Sequence, residues 1–291
     1  MRFKTEYRSI WECGQRVDTY GNPHQEDSIY PVHNSNEDNA SLFIVCDGMG
    51  GHEKGEVASS LVCNSMSSLI GEGSDVFNND ILVDALETIY NELDKYDDQS
   101  DKKMGTTLAL LKLHQGGATI AHIGDSRVYH IRPGQDGTST HILFESTDHS
   151  LVNDLVKIGE ITPEEAKTSK QRHIITRAMQ PRNHCKADVY ETTDILPGDY
   201  FYLCSDGMLE QMEDEAICNI FSHSGGNIGQ KVDILTGATS GNRDNHSAIL
   251  VLIEDVVVET QNQSSDDSVV DVLDITSKST FKNRWKNIFK S

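Results

Sequence analysis

The chain has 291 residues, 36% of them hydrophobic, which is enough to bury a substantial core in one large domain or two small ones. Its 46 acidic and 25 basic residues give a formal net charge of −21, which disfavours nucleic acid as a partner because phosphate backbones would be repelled. No window approaches the roughly 20 apolar residues that span a bilayer, and the N-terminus lacks a secretory signal, so we expect no transmembrane segment and a cytoplasmic location.

The first part of the chain predicts a buried strand followed by two helices. Residues 42–46, Leu-Phe-Ile-Val-Cys, form an apolar run typical of a strand, and Asp47 and Gly48 follow it. Apolar residues at helical spacing predict amphipathic helices at 56–70 and 81–96. We expect both helices to cover a sheet.

The remaining elements alternate between strands and helices. Strands are expected at 106–113, 118–123, 128–131, 141–144, 200–204 and 247–253, and a helix at 214–221. Between them, a helical flap is predicted over about 149–185, where Thr162, Pro163 and Glu165 fit a helix N-terminus with a capping threonine. This mixture predicts an α+β fold in which antiparallel sheets are covered by helices.

Residues 255–291 differ in composition from the domain predicted over 1–254. Residues 261–268 are polar, which predicts a linker. Residues 281–290 are basic and place their aromatic and apolar side chains on one helical face. Such a tail docks on the acidic body of the protein, on an external partner or, less favourably, on a membrane surface. Deleting residues 261–291 without a change in binding, localisation or activity would remove this hypothesis.

Three short carboxylate motifs, far apart in the chain, indicate a metal site: Asp47-Gly48, Asp206-Gly207 and Asp244-Asn245. Carboxylates and a backbone carbonyl, without a histidine or cysteine cluster, are hard oxygen ligands suited to Mg²⁺ or Mn²⁺. An Asp-Gly pair alone is more typical of a turn, so the metal interpretation depends on the motifs acting together. The six cysteines have no C-x-x-C spacing, and we expect reduced core thiols rather than disulfides or zinc ligands.

These motifs are part of a longer ordered series. The series is Gln25-Glu26-Asp27-Ser28, Asp47-Gly48-Met49-Gly50-Gly51-His52, Gly55-Glu56-Val57-Ala58-Ser59, Gly105-Thr106-Thr107, Gly124-Asp125-Ser126-Arg127, Thr147-Asp148-His149-Ser150, Ser205-Asp206-Gly207 and Asp244-Asn245. Over roughly residues 10–253, the chain resembles the metal-dependent protein phosphatases of type 2C, and its glycine pattern is similar to their bacterial branch. The resemblance implies two antiparallel sheets packed face to face and flanked by helix pairs, an α-β-β-α sandwich, with the metal centre at one end.

The resemblance also implies metal ligands. Asp47 would bridge two ions, Gly48 would bind one of them through its carbonyl, and Asp206 and Asp244 would bind the other. Asp125 matches the acid that, with Asp206, holds a third ion in bacterial members. On the residues alone, Asp125 could instead cap a turn or pair with its neighbour Arg127. The expected cofactors are therefore two Mn²⁺ or Mg²⁺ ions, with a third as an option.

Other site residues follow the family pattern less closely. Glu26 and Asp27 match the acidic pair that holds metal-bound water, and we count both as catalytic and Asp27 also as a metal ligand. Family members often carry a phosphate-binding arginine a few residues before this pair, whereas the nearest here is Arg16. Met49 stands where other branches carry a histidine, so the general acid is unassigned. The flap offers further cations, for which a solvated helix face is the alternative, favoured for Lys170: Lys170, Arg172, His173 and Arg177.

The sequence therefore predicts a Mg²⁺/Mn²⁺-dependent phosphatase of phosphoserine and phosphothreonine in proteins, which by resemblance opposes serine/threonine kinases. Phosphorylated proteins and a kinase are the expected partners. One alternative is a non-hydrolytic module on the same fold that binds a phosphoprotein or a kinase. Another is a phosphatase of small phosphate esters. Retention of all the proposed metal acids favours an enzyme, because a binding module has no need of so much apposed negative charge.

Overall fold

Two antiparallel sheets form the centre of the computed structural model, which describes residues 1–32, 40–49, 54–71, 76–97, 104–134, 139–222 and 226–257. Within these residues, the first sheet has the spatial order β1 (Arg2–Glu12), β12 (His246–Val257), β11 (Tyr200–Cys204), β8 (Arg127–Arg132), β9 (His141–Glu145). The second has the order β10 (Asp188–Thr192), β7 (Gly117–Ile123), β6 (Leu108–His114), β3 (Leu42–Cys46), β2 (Ser28–Tyr30). A short ribbon pairs β4 (Gly48–Met49) with β5 (Gly105–Thr106).

Helices cover the outer face of each sheet. On the second sheet lie α1 (Lys54–Ile70) and α2 (Asn79–Leu93), and on the first lie α5 (Asp214–Phe221) and α6 (Ile228–Thr239). Two short helices, α3 (Leu151–Lys157) and α4 (Pro163–Thr168), occupy the predicted flap between β9 and β10. The predicted α+β sandwich, with helices outside two packed antiparallel sheets, is confirmed.

The layered arrangement explains why β3 and β11 are continuous apolar runs. Along β3, Leu42, Ile44 and Cys46 pack under α1 and α2, whereas Phe43 and Val45 face the other sheet. Along β11, Phe201 and Leu203 face the space between the sheets, and the alternate residues pack under α5 and α6. A strand that is covered on both faces reads as a nearly continuous apolar run.

The capping of the flap helix agrees with the sequence. Thr162 Oγ1 accepts from the Glu165 N–H (3.2 Å), and Glu165 Oε2 accepts from the Thr162 N–H (2.8 Å), so a capping box is present. Pro163 takes the first helical position, where its missing N–H costs nothing.

Some elements differ from the prediction. The strand predicted over 106–113 is divided into β5 and β6. The division falls at Thr107, whose N–H donates to the Asp47 carbonyl. The elements that the sequence analysis did not predict include β1, β2, β4, β10 and α6. Residues 255–257, expected in the linker, are the last residues of β12.

Several predictions concern residues outside those described. These are the C-terminal tail from 258 onward, and Gly50, Gly51 and His52 of the glycine-rich motif. Among the described residues, none of the helices combines the length and the apolar character that crossing a membrane requires.

Candidate metal centre

Asp47 lies directly after β3, and its backbone is held by Thr106, the last residue of β5, and by Thr107, which follows it. The Asp47 N–H donates to Thr107 Oγ1 (2.9 Å), and the Asp47 carbonyl accepts from the Thr107 N–H (2.9 Å) and from Thr106 Oγ1 (2.9 Å). These bonds satisfy the backbone of Asp47 without its carboxylate, which is left for other partners. Thr107 Oγ1 also shares a hydrogen bond with Ser126 Oγ (2.6 Å), which connects Asp47 to the loop that carries Asp125.

Gly48, the predicted carbonyl ligand, lies where no side chain fits. A Cβ on Gly48 would overlap the carbonyl oxygens of Glu26 and Gly55. The glycine therefore lets the segment after Asp47 approach both the acidic pair and the start of α1.

Asp206 and Asp244 meet because their two motifs touch. Asp206 begins a 3₁₀ turn, Asp206–Leu209, just after β11, and Asp244 lies just before β12. A Cβ on Gly207 would overlap the Asn245 carbonyl oxygen, so only glycine allows this approach. The Asp244 N–H donates to Glu210 Oε1 (2.9 Å), which holds the backbone of Asp244.

The electrostatics of these carboxylates favour a bound cation. Burial raises the pKa of Asp47 well above its usual value, and the nearby Asp27 and Asp206 carboxylates raise it further. Burial also raises the pKa of Asp206, with Asp244 adding to the effect. The interaction of Asp206 with the Asp47 carboxyl opposes this rise in pKa. Carboxylates this close are stable together when protons or cations neutralise them.

The acidic pair lies beside these residues. Asp27 is 3% exposed, and its Oδ2 accepts from Ser205 Oγ (2.9 Å). Burial raises the pKa of Asp27 to about 7, with Asp206 and Asp244 adding to the shift and serine hydroxyls opposing it. Burial likewise raises the pKa of Glu26, which the charge of His24 partly offsets.

Asp125 does not pair with Arg127. The Arg127 guanidinium donates to both carboxylate oxygens of Asp148 (2.6 and 2.7 Å) and to Glu145 Oε1 (2.7 Å). Asp125 is 8% exposed, and burial raises its pKa to about 8, with Asp206 and Asp148 as further causes. The alternative of an Asp125–Arg127 ion pair is therefore wrong.

The donor set fits a hard divalent cation. Among the described residues, Asp27 Oδ1 and Asp125 Oδ1 are buried oxygens without a hydrogen-bond partner. A buried acceptor without a donor is costly, and a cation satisfies it. The neighbouring side chains of Asp47, Asp206 and Asp244 offer only carboxylate oxygens, which Mg²⁺ and Mn²⁺ prefer.

Asn245 is a site residue to which the sequence analysis assigned no role. Its Nδ2 donates to the carbonyls of Cys13 (2.9 Å) and His24 (2.8 Å), its Oδ1 accepts from the Glu26 N–H (2.8 Å), and its N–H donates to Asp244 Oδ1 (2.9 Å). One buried amide thus joins the acidic pair to a metal-binding motif. The sequence signal for this role was an asparagine directly before the apolar strand β12.

Arg16 reaches the site despite its distance in sequence from Glu26. Its Nε donates to Asp244 Oδ1 (2.7 Å) and its NH2 to Asp244 Oδ2 (3.0 Å), so the guanidinium binds the carboxylate with both arms. The side chain of Arg16 is 52% exposed. The loop between Arg16 and the acidic pair is longer than in the family pattern, but it still brings the Arg16 guanidinium to Asp244.

A second cluster, His122, His149 and Asp188, has ligand atoms close enough to hold a metal ion, but its hydrogen bonds argue against one. His149 Nδ1 accepts from the Gly124 N–H (3.0 Å), so the ring proton of a neutral His149 is on Nε2, the atom a metal would need. Arg177 NH1 also lies 3.2 Å from His149 Nε2 and 2.9 Å from Asp188 Oδ1. A guanidinium there already supplies the positive charge.

The remaining candidates are less involved. Met49 pairs with Gly105 in the β4–β5 ribbon. His246 Nδ1 lies 3.0 Å from the Asp244 carbonyl, and His24 Nε2 lies 3.8 Å from Glu26 Oε1. Of the flap cations, Lys170 and Arg172 are exposed, Arg177 pairs with Asp188, and His173 is near enough to Asp206 to lower its pKa against the larger effect of burial.

Comparison with known proteins relates the chain to one family. The family model described as protein phosphatase 2C matches residues 14–229. Protein phosphatase PhpP of Streptococcus pneumoniae is 34% identical over 195 residues, which cover 66% of this chain and 76% of PhpP. The serine/threonine phosphatase stp of Listeria monocytogenes is 31% identical over 225 residues, which cover 74% of this chain and 86% of stp.

Solved structures agree. Serine/threonine phosphatase Stp1 from Staphylococcus aureus superposes with a TM-score of 0.71 at 30% identity, covering 88% of this chain and 98% of Stp1. The catalytic domain of the serine/threonine protein phosphatase PstP, in complex with two manganese ions, gives a TM-score of 0.67 at 27% identity and covers 87% of this chain and 100% of that domain.

Proposed function

The chain belongs to the protein phosphatase 2C family, and from this membership we propose that it hydrolyses phosphoserine and phosphothreonine in proteins with two divalent cations held among Asp47, Asp206 and Asp244. It is a metal-dependent serine/threonine protein phosphatase, as its relatives are. The observation that carries the proposed metal site is the convergence of three carboxylates from separate segments of the chain, in which Asp206 and Asp244 raise the pKa of the buried Asp47.

We propose Mn²⁺ or Mg²⁺ as the two ions, with Asp47 between them, the Gly48 carbonyl on one side, and Asp206 and Asp244 on the other. PstP, a structural neighbour, binds two manganese ions. Asp125, with its unpartnered Oδ1, is the proposed ligand of a third ion together with Asp206. When bound, such a pair of cations activates water and neutralises the charge of the phosphoryl group during in-line displacement.

The chain's own residues would prepare the site for that reaction. Asp27, whose Oδ1 is buried and unpartnered, and Glu26 are the proposed acceptors that orient a water molecule, and Asp27 also serves as a metal ligand. Arg16 binds Asp244 through Nε and NH2 and is half exposed, and we propose that its guanidinium also contacts phosphoryl oxygens of the substrate.

The cellular role that we propose is to oppose serine/threonine kinases, which makes phosphorylated proteins the substrates. The alternative of a non-hydrolytic module is disfavoured, because a surface that only binds would gain nothing from several mutually repelling acids. A phosphatase of small phosphate esters would use the same site on a different substrate, so a comparison of substrates distinguishes the two functions.

Hydrolysis of a phosphothreonine peptide tests the proposal. We expect turnover with Mn²⁺ and a loss of at least about 100-fold with EDTA or in Asp206→Ala, because the bound metal ions would lower the activation barrier by several kcal/mol. Asp84→Ala, which removes an exposed acid of α2, is the matched control and should keep wild-type turnover. Equal activity in wild type, with chelator and in Asp206→Ala would contradict the mechanism. Turnover of p-nitrophenyl phosphate without turnover of any phosphopeptide would favour the small-ester alternative.

A further inference from the structure

A loop with an exposed aromatic tip leaves and rejoins the fold beside the proposed metal centre. Residues 16–24 form this loop, which we call the Tyr20 loop. Its two ends are held together, because the His24 N–H donates to the Arg16 carbonyl (3.1 Å) and Val17 forms a β-bridge with Pro23.

The base of the Tyr20 loop is attached to the candidate metal ligands. Asn245 Nδ2 bonds the carbonyl of Cys13 before the loop and that of His24 at its end. Arg16, the first residue of the loop, binds the Asp244 carboxylate with both arms. The loop is thus held in a set position relative to the proposed site.

The tip of the loop is held by the side chain of Asp18. Asp18 Oδ1 accepts from the Tyr20 N–H (2.8 Å) and the Asn22 N–H (2.8 Å), and Oδ2 accepts from Asn22 Nδ2 (3.0 Å). Gly21, with φ of +85°, allows the turn. These bonds, chiefly those from Asn22, lower the pKa of Asp18, so its carboxylate stays charged at neutral pH.

This rigid tip presents its aromatic ring to solvent. Tyr20 is 86% exposed, more than any other large hydrophobic side chain among the described residues, and Val17 is 59% exposed. Tyr20 is the fourth residue after Arg16, so the two Cα atoms are at most about 14 Å apart. A polypeptide whose phosphorylated residue lies at Arg16 would cover that distance with about four residues.

We propose that the Tyr20 loop binds the residues that flank the phosphorylated residue of a protein substrate, and that it favours a lysine or arginine there, which rests on the proposed function. An aromatic face attracts a cation, and the charged Asp18 beneath it adds to the attraction. The net charge of −21 favours a basic segment over an acidic one. Because the loop is already ordered, binding costs little conformational entropy.

Peptide kinetics with the full chain and Mn²⁺ test this inference. The substrates are phosphothreonine peptides in which one arginine is moved through the four positions on either side, each compared with a peptide that has serine there. In the wild type, we expect arginine in at least one position to raise kcat/KM about two- to fivefold. Tyr20→Ala should bring that ratio closer to one, because only the attraction of Asp18 and of the net charge remains, and Tyr20→Phe should keep it. Tyr96→Ala, which removes another exposed tyrosine (51%), should also keep it.

The ratio of two peptides cancels any general loss of activity in a variant. An unchanged ratio in Tyr20→Ala, or a wild type that hydrolyses the peptides without any preference, would overturn this inference and leave the proposed function intact. A wild type that hydrolyses none of the peptides, with Mn²⁺ present, would overturn the proposed function and the inference with it.

Discussion

At the scale of single residues, the site depends on side chains that hold others in place. Asn245 uses both Nδ2 hydrogens and its Oδ1, so its amide is satisfied and has one orientation. A carboxylate of the same shape would present an oxygen to two carbonyl oxygens, and it would add a negative charge beside Asp244 and Glu26. Shape alone therefore does not explain this position, whereas its hydrogen-bond donors do.

Asn245→Asp is therefore expected to lower both stability and activity. Loss of two buried hydrogen bonds and the added repulsion should cost about 1–3 kcal/mol of unfolding free energy, measured by urea denaturation, and kcat/KM should fall at least about tenfold. Asn64→Asp on the exposed side of α1 makes the same chemical change and should alter stability by less than about 0.5 kcal/mol. If both variants behaved alike, Asn245 would not organise the site.

At the scale of elements, the base of the flap is connected to the loop that carries Asp125. The His149 N–H donates to the Gly124 carbonyl (2.9 Å), and the Gly124 N–H donates to His149 Nδ1 (3.0 Å). On its other side, His149 Nε2 lies 3.2 Å from Asp188 Oδ2 on β10 and beside Arg177 of the flap. We infer that His149 positions Asp125, and its substitution should alter the metal dependence of activity if Asp125 is a metal ligand as proposed.

Substitution of His149 separates its hydrogen bond from its bulk. In His149→Leu the buried Gly124 N–H loses its acceptor, which should cost about 1–3 kcal/mol and raise the Mn²⁺ concentration needed for half-maximal activity. In His149→Asn, Oδ1 takes the place of Nδ1 as acceptor, so part of the Mn²⁺ dependence should return. Thermal denaturation and a Mn²⁺ titration of peptide hydrolysis measure the two effects. An identical Mn²⁺ dependence in all three proteins would exclude the positioning role.

The same scale shows which elements sequence reasoning can find. The doubly buried β3 and β11 are unbroken apolar runs, and their prediction matches the structure at both ends. By contrast, β1 and β10 are edge strands with several exposed residues. Charged side chains at these exposed positions interrupt the apolar pattern in the sequence. The missed α6 includes two glycines, and its signal was the capping box of Asn227 and Gln230.

Site residues follow a similar rule. The acids Asp47, Asp206 and Asp244 could be proposed as metal ligands from the sequence because their motifs form an ordered series with the others. The contacts of Asn245 and Arg16 were not, because each depends on a pairing across more than 200 residues. Such a pairing leaves no local pattern in the chain.

At the scale of the whole molecule, a net charge of −21 is combined with a buried cluster of acids. Within this cluster, burial raises the pKa of Asp27 to about 7 and that of Asp125 to about 8, and it also raises the pKa of Asp47 and Asp206. In the unfolded chain such carboxyls lose their protons near pH 4. Between about pH 4 and pH 8, the metal-free native state therefore binds more protons than the unfolded state, so its stability must fall as pH rises. Below that window both states are protonated and the penalty disappears.

Metal binding should reverse this dependence, because a cation replaces the protons that the acids would otherwise need. With EDTA, we expect the Tm to fall by several degrees from pH 6 to pH 8, and we expect the increase in Tm on adding Mn²⁺ to be larger at pH 8 than at pH 6. Asp125→Asn removes one titrating group without changing its shape, so the metal-free Tm of this variant should depend less on pH. Asp84→Asn removes an exposed acid and should leave the slope unchanged, which separates the cluster from the general repulsion of a highly charged protein. A metal-free Tm that stays level or rises from pH 6 to pH 8 would show that the cluster does not titrate in this range.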